Sequence, residues 1–258
     1  MKFGRLVLAV AIFLGLSGGL CAAQEITVAA AADLQFVMQE VGARFKSATG
    51  KSVKLIYGSS GNFTQQLQNG APFDMFFSAD IGYPQKLEAS GLTEPGTLYE
   101  YATGKIVLFA PTGSPLDLKR GLPVLLDPEV KKLAIANPEH APYGRAAVAA
   151  LQHEKLYDQL TSKFVMGENI SQTASFVVSG AADAGIVALS LALAPSMQEK
   201  AIYVSIPEDE YPPIRQAAVI LKSSQQKEIS RQFMAFLKKP ETVSLLEKYG
   251  FAVPKGQH

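Results

Sequence analysis

Short apolar runs of strand length alternate with segments of helical period through this chain, and that alternation restricts it to sheets covered by helices on both faces. The run at 26–31 predicts a strand. Leu34, Val37, Met38, Val41 and Phe45 then recur at helical spacing, and Gly50 closes that helix. Val53, Leu55 and Tyr57 alternate as a second strand, Phe63 and Leu67 mark a short helix ending at Asn69-Gly70, and Met75-Phe76-Phe77 reads as a strand buried on both sides.

A second unit begins near residue 105. Strands are expected at 105–110, 133–136, 164–166 and 185–188, with helices at 143–153 and 171–179. Two further strands, 203–206 and 217–221, flank the charged stretch 207–213, and helices at 226–237 and 241–249 follow on either side of Lys239-Pro240. With 258 residues there is material for two lobes. The expectation is lobe 1 from 24–102 plus 207–258 and lobe 2 from 103–206, each a mixed, mainly parallel sheet flanked by helices. Ligands of open α/β sheets bind at the carboxyl ends of strands, which places a site in the cleft between the lobes.

Residues 1–23 read as a cleaved signal peptide: Lys2 and Arg5 precede an apolar run, and Cys21-Ala22-Ala23 ends in small residues before Gln24. The run is short for a membrane span, so a soluble protein exported to the periplasm is expected. The single cysteine, Cys21, lies in the segment expected to be removed, leaving no disulfide or thiolate metal site. Bulky Leu20 before it argues against lipidation. Without Lys2 and Arg5, 22 basic side chains face 23 acidic ones, which gives no basic excess for binding nucleic acid.

Four polar segments sit where helices should begin: Ala31-Ala32-Asp33, Gly58-Ser59-Ser60-Gly61-Asn62, Ala141-Pro142-Tyr143-Gly144 and Glu168-Asn169-Ile170-Ser171. None contains a lysine. A helix N-terminus offers unpaired N–H groups and about half a positive charge, so several aimed at one point would hold an anion without a formal cation. Ser59 or Ser60 equally suits a helix cap, as do Asp33, Glu168 and Asn169. Tyr143 offers an amide and a phenol, Ile170 only its amide, and Arg145 reads as a solvated surface side chain. Asp33 would repel a bare dianion, yet it could accept a hydrogen bond from a protonated oxyanion.

Catalytic patterns are weak. His140 and His153 lack metalloprotease spacing, no G-x-S-x-G elbow or dinucleotide fingerprint occurs, and no Walker loop follows Gly58. Asp209 and Glu210 sit in a charged stretch expected to stay solvated. A serine hydrolase pairing Ser60 with His140 is the remote enzymatic reading.

The stretch from Ile26 through Ala31-Ala32-Asp33-Leu34, the Gly58-Ser59-Ser60-Gly61 segment, and Asn69-Gly70-Ala71-Pro72-Phe73-Asp74 running on to Ser78-Ala79-Asp80 resemble the periplasmic molybdate-binding proteins of bacterial ABC importers. The resemblance continues through Asn137-Pro138-Glu139-His140, Gly185-Ile186-Val187-Ala188 and Tyr249-Gly250-Phe251. It implies a class II two-lobed binding fold, non-enzymatic and monomeric, that closes on molybdate or tungstate and hands it to a membrane permease, with no cofactor. Carried over by position, Ala32 and Asp33 occupy the first loop, Ser60 supplies hydroxyl and amide, and Tyr143 and Ile170 supply amides. Ser60 and Ile170 are thus ligands of the molybdenum oxyanion rather than of a bare cation. The chain departs from the pattern at Asp33, where members carry Ser or Asn, and at Ala188, where many place a ligand tyrosine. The phenol of Tyr143 is a candidate replacement, and Asp33 leaves phosphate or arsenate as the alternative ligand.

Overall fold

The computed structural model describes residues 24–254, so the expected signal peptide and Cys21 lie outside the described residues. Ten strands form two sheets. The first contains β1 (Glu25–Ala31), β2 (Ser52–Gly58), β3 (Met75–Ser78), β4 (Tyr99–Gly104) and β10 (Ile214–Ile220), in the order β2-β1-β3-β10-β4. The second contains β5 (Ile106–Pro111), β6 (Leu133–Ala136), β7 (Phe164–Gly167), β8 (Ala184–Ala188) and β9 (Ala201–Ser205), in the order β7-β6-β8-β5-β9.

Each sheet has the same design. β1 pairs in parallel with β2 and β3, and β6 does so with β7 and β8. The remaining pairings, through β10 in one sheet and β5 in the other, are antiparallel. Four strands of each sheet therefore run the same way, as expected of a mixed, mainly parallel sheet, and only β10 and β5 run against their neighbours. The parallel centre explains the continuous apolar runs: β3, β6 and β8 are buried along their whole length. At the edge, β2 alternates and β9 is largely exposed.

Gly50 ends helix Gln35–Thr49 in a left-handed conformation (φ 74°), its amide donating to Lys46 O at 2.8 Å. The C-terminal helices Lys227–Leu237 and Pro240–Lys248 return to the first sheet. Phe233 and Phe236 meet Phe45 edge-on at centroid distances of 5.0 and 5.5 Å.

The chain passes from one sheet to the other through Lys105 and returns through 206–213. These two crossings are tied together where the Ile106 amide donates to Tyr211 Oη at 3.3 Å. Two elements escape the sequence pattern. β4 carries Glu100 and Thr103 among its buried residues and shows no apolar run. Helix Gly82–Ala89 buries only Pro84 and Leu87. Among the described residues no helix is long and apolar enough to cross a membrane.

Candidate functional site

The carboxyl ends of β1, β2, β6 and β7 point toward the junction of the two lobes, and each leads into a helix start. Ala31 passes into the 3-10 turn Ala32–Leu34, which continues as helix Gln35–Thr49. Gly58 is followed by Ser59, the cap of helix Ser60–Gln68, whose Oγ accepts from the Asn62 amide at 3.4 Å. Pro142 opens helix Pro142–His153 at a position that needs no amide donor. Asn169 caps helix Ile170–Val178, its Oδ1 accepting from Ser171 and Gln172 amides, both at 3.0 Å.

All four starts line one small hollow, and Ala32, Asp33, Ser60, Tyr143 and Ile170 all border it. Among the described residues no lysine, arginine or histidine does. Because Ser59 and Asn169 do the capping, Ser60 and Ile170 are the first residues of their helices. The amides of Ser60, Tyr143 and Ile170 have no acceptor among the described residues. Ser60 is fully buried, and its Oγ accepts from the Ala79 amide at 3.0 Å. Its own proton therefore remains free to donate. Gly144 lets this wall form: a Cβ there would stand 2.1 Å from the Ala136 carbonyl oxygen.

Asp33 is the exception to a donor-only lining. It is 1% exposed, and its Oδ2 accepts from Tyr143 Oη at 2.9 Å and Gln216 Nε2 at 2.7 Å. Its Oδ1 is buried with no partner among the described residues. Burial pushes the carboxyl up to about 6, against the lowering pull of Gln216, Tyr143 and its own amide. Gln216 is itself held by Tyr101, whose hydroxyl donates to Gln216 Oε1 at 2.7 Å, and Ser190 Oγ donates to the Asp33 carbonyl at 2.8 Å.

This arrangement corrects one expectation. The single phenolic proton of Tyr143 is spent on Asp33, and the oxygen also accepts from Gln216 at 2.9 Å, so it has no proton to offer an anion in place of a tyrosine at Ala188. Ala188 is fully buried and does not border the hollow. Gln216, Tyr101 and Ser190 were missed in the sequence. A lone glutamine in the apolar strand β10 was the one available signal.

Several polar contacts join the lobes around the hollow. The Gly61 amide donates to His140 O at 2.9 Å, and His140 Nδ1 lies 2.9 Å from Ser59 Oγ. Asn62 Nδ2 donates to Glu168, and Ser171 Oγ donates to Gln35. The pairing of Ser60 with His140 is not formed, since His140 meets Ser59 while Ser60 is bonded to the Ala79 amide. Arg145 is not a free surface charge. It crosses to Asp80 at 2.5 Å and to Tyr83 Oη at 3.1 Å. A wider cleft beyond Pro142 does contain Arg145 and Arg215, but Arg215 is likewise paired, with Glu100 at 2.5 and 2.8 Å. Asp209 is exposed, whereas Glu210 is partly buried beside Glu154 and His153.

Unpartnered donors thus gather between the two sheets, with no cationic side chain among the described residues of the lining. Residues 26–252 match the family described as bacterial extracellular solute-binding protein. The chain belongs to that family. It is 37% identical to the molybdate-binding protein ModA of Azotobacter vinelandii, with 98% of this chain and 100% of that one aligned. It is 36% identical to ModA of Rhodobacter capsulatus over 97% and 96% of the two chains. The solved Azotobacter vinelandii periplasmic molybdate-binding protein superposes with a TM-score of 0.83 at 35% identity, over 89% of this chain and all of that one. A sulfate-binding protein, SubI of Mycobacterium tuberculosis, shares the solute-binding fold at 14% identity and a TM-score of 0.73.

Proposed function

We propose that the protein binds molybdate, and tungstate with it, between its lobes in the periplasm and delivers it to an ABC permease as a non-enzymatic monomer. In this reading lobe 1 comprises 24–102 and 207–258, lobe 2 comprises 103–206, and residues 1–23 are removed on export. The observation that carries it is the convergence of four cation-free helix starts on one small hollow, with the Ser60 hydroxyl proton and the Ser60, Tyr143 and Ile170 amides unspent. Amide dipoles and hydroxyls fixed by the fold stabilise a dianion without rearranging. Selectivity follows from size and from donor chemistry, since molybdate and tungstate are larger than sulfate and carry no proton near neutral pH. Two relatives, 36% and 37% identical to this chain, bear the name molybdate-binding, which supports the same ligand.

Asp33 favours a second reading, in which its carboxylate accepts from a hydrogen phosphate or hydrogen arsenate. A thermal-shift and calorimetric screen of residues 24–258 against molybdate, tungstate, sulfate and phosphate decides between them, because a ligand bound only by the folded protein raises its Tm. A shift with molybdate and tungstate but not with phosphate is expected. A shift with phosphate alone would refute the molybdate reading.

A further inference from the structure

A dianion and an ionised carboxylate cannot share a small buried hollow without strong repulsion, yet Asp33 borders the same space as Ser60, Tyr143 and Ile170. The two oxygens of Asp33 differ. Oδ2 already accepts two hydrogen bonds, from Tyr143 Oη and Gln216 Nε2, and so behaves as the carbonyl-like oxygen. Oδ1 is buried and has no partner among the described residues. A buried polar atom without a partner is costly, and a proton on Oδ1 converts it into a donor matching the rest of the lining. Resting on the molybdate reading, we propose that Asp33 enters the complex as a neutral acid whose Oδ1–H donates to the bound oxyanion, so that binding the dianion takes up one proton from solvent.

The surroundings allow this. The ionisable groups facing Asp33 are Tyr143 from helix Pro142–His153 and Tyr101 from β4, both held neutral because burial and the nearby carboxylate raise them. Gln216 of β10 and Ser190 of helix Leu189–Ala192 are uncharged. Helix Ile170–Val178 carries no ionisable residue. On helix Gln35–Thr49, Glu40 and Arg44 pair in solvent, and Lys46 is exposed, as is Lys54 of β2. Tyr57 at the end of β2 is raised by burial and stays neutral. His140 faces Ser59 instead. Nothing cationic among the described residues holds Asp33 ionised, and burial lifts it to about 6, within reach of protonation by a ligand's charge.

The test is calorimetric titration of wild type and Asp33→Asn with sodium molybdate at about pH 7.5, in buffers of different ionisation enthalpy, and across about pH 5.5–8.5. Wild type should take up close to one proton at the upper end, with affinity falling about tenfold per pH unit above about pH 7. Asp33→Asn, whose Nδ2 donates from the same place, should show neither effect and should bind more tightly than wild type at about pH 8.5. Molybdate binding by wild type without proton uptake would overturn the proposal, as would loss of binding in a folded Asp33→Asn protein. Preference for phosphate that vanishes in Asp33→Asn would show the carboxylate accepting and would equally overturn it. Failure of both proteins to bind molybdate at any pH would remove the molybdate reading itself, and this inference with it.

Discussion

Gly61 offers a way to separate lobe closure from lobe stability with one methyl group. A Cβ at Gly61 would lie 2.8 Å from three atoms of His140 across the junction: Cα, Cβ and the carbonyl oxygen. Carbon atoms settle at about 3.5–4.0 Å, so the overlap is about 1 Å and falls largely on backbone, which no rotamer change relieves. To accept Gly61→Ala, the lobes must part there by about that much. Parting stretches the Gly61 amide bond to His140 O, now 2.9 Å, past the useful range of about 3.2 Å, and loosens the neighbouring Ser59–His140 contact. The bond alone contributes about 0.5–1.5 kcal/mol. With the contact beside it the loss is about 1–3 kcal/mol, which lowers molybdate affinity roughly 5- to 150-fold. The separate lobes should not suffer. Gly61 is the second residue of helix Ser60–Gln68, and alanine there gains up to about 1 kcal/mol of helix propensity. Titration calorimetry and the Tm of the ligand-free protein therefore move in opposite directions. Unchanged affinity, or a fall in Tm matching the fall in affinity, would refute the reasoning.

Ser60→Ala removes the free hydroxyl donor and should cost about 1.5–3 kcal/mol of binding; an unchanged dissociation constant would take Ser60 out of the site. The same change leaves the buried Ala79 amide without its acceptor, so urea unfolding should report a stability loss of about 1–3 kcal/mol. Gly144→Ala sets a Cβ 2.1 Å from the Ala136 carbonyl oxygen within one lobe. Unlike Gly61→Ala, it should lower Tm and affinity together, by the 1–3 kcal/mol typical of overpacking as an order-of-magnitude estimate; a normal Tm would contradict that packing. The Asp33 carboxyl is raised from 3.8 to about 6 in the folded protein. Its stabilising contribution is complete below about pH 3.8 and is lost as pH rises through about 6, a span worth about 3 kcal/mol. Asp33→Asn should gain on wild type in ligand-free unfolding free energy between about pH 4 and pH 8. A pH-independent difference would be inconsistent with the buried, partnerless oxygen.

Much of the fold was legible because its signals are local. The apolar runs at Met75–Ser78 and Leu133–Ala136 are buried end to end, and Gly50 stops its helix as its freedom at positive φ requires. Ser59 and Asn169 cap where polar residues precede a helical period. β4 was hidden because Glu100 and Thr103 interrupt its apolar pattern, and its burial comes from β10, more than a hundred residues later. Helix Gly82–Ala89 was hidden because Gly82 and Pro84 weaken its propensity and one face rests on few buried residues.

The same division runs through the site. Spacing and capping chemistry alone established that Ala32, Asp33, Ser60, Tyr143 and Ile170 stand at or beside helix starts, since a helix end is decided by a handful of adjacent residues. Only the tertiary structure decided where their polar atoms point. Asp33 meets a phenol 110 positions away and an amide 183 positions away, and no sequence interval encodes such a pairing. It exists because one strand of the first sheet returns from the second and the two lobes meet face to face, which spends the Tyr143 proton and leaves Asp33 Oδ1 without a partner.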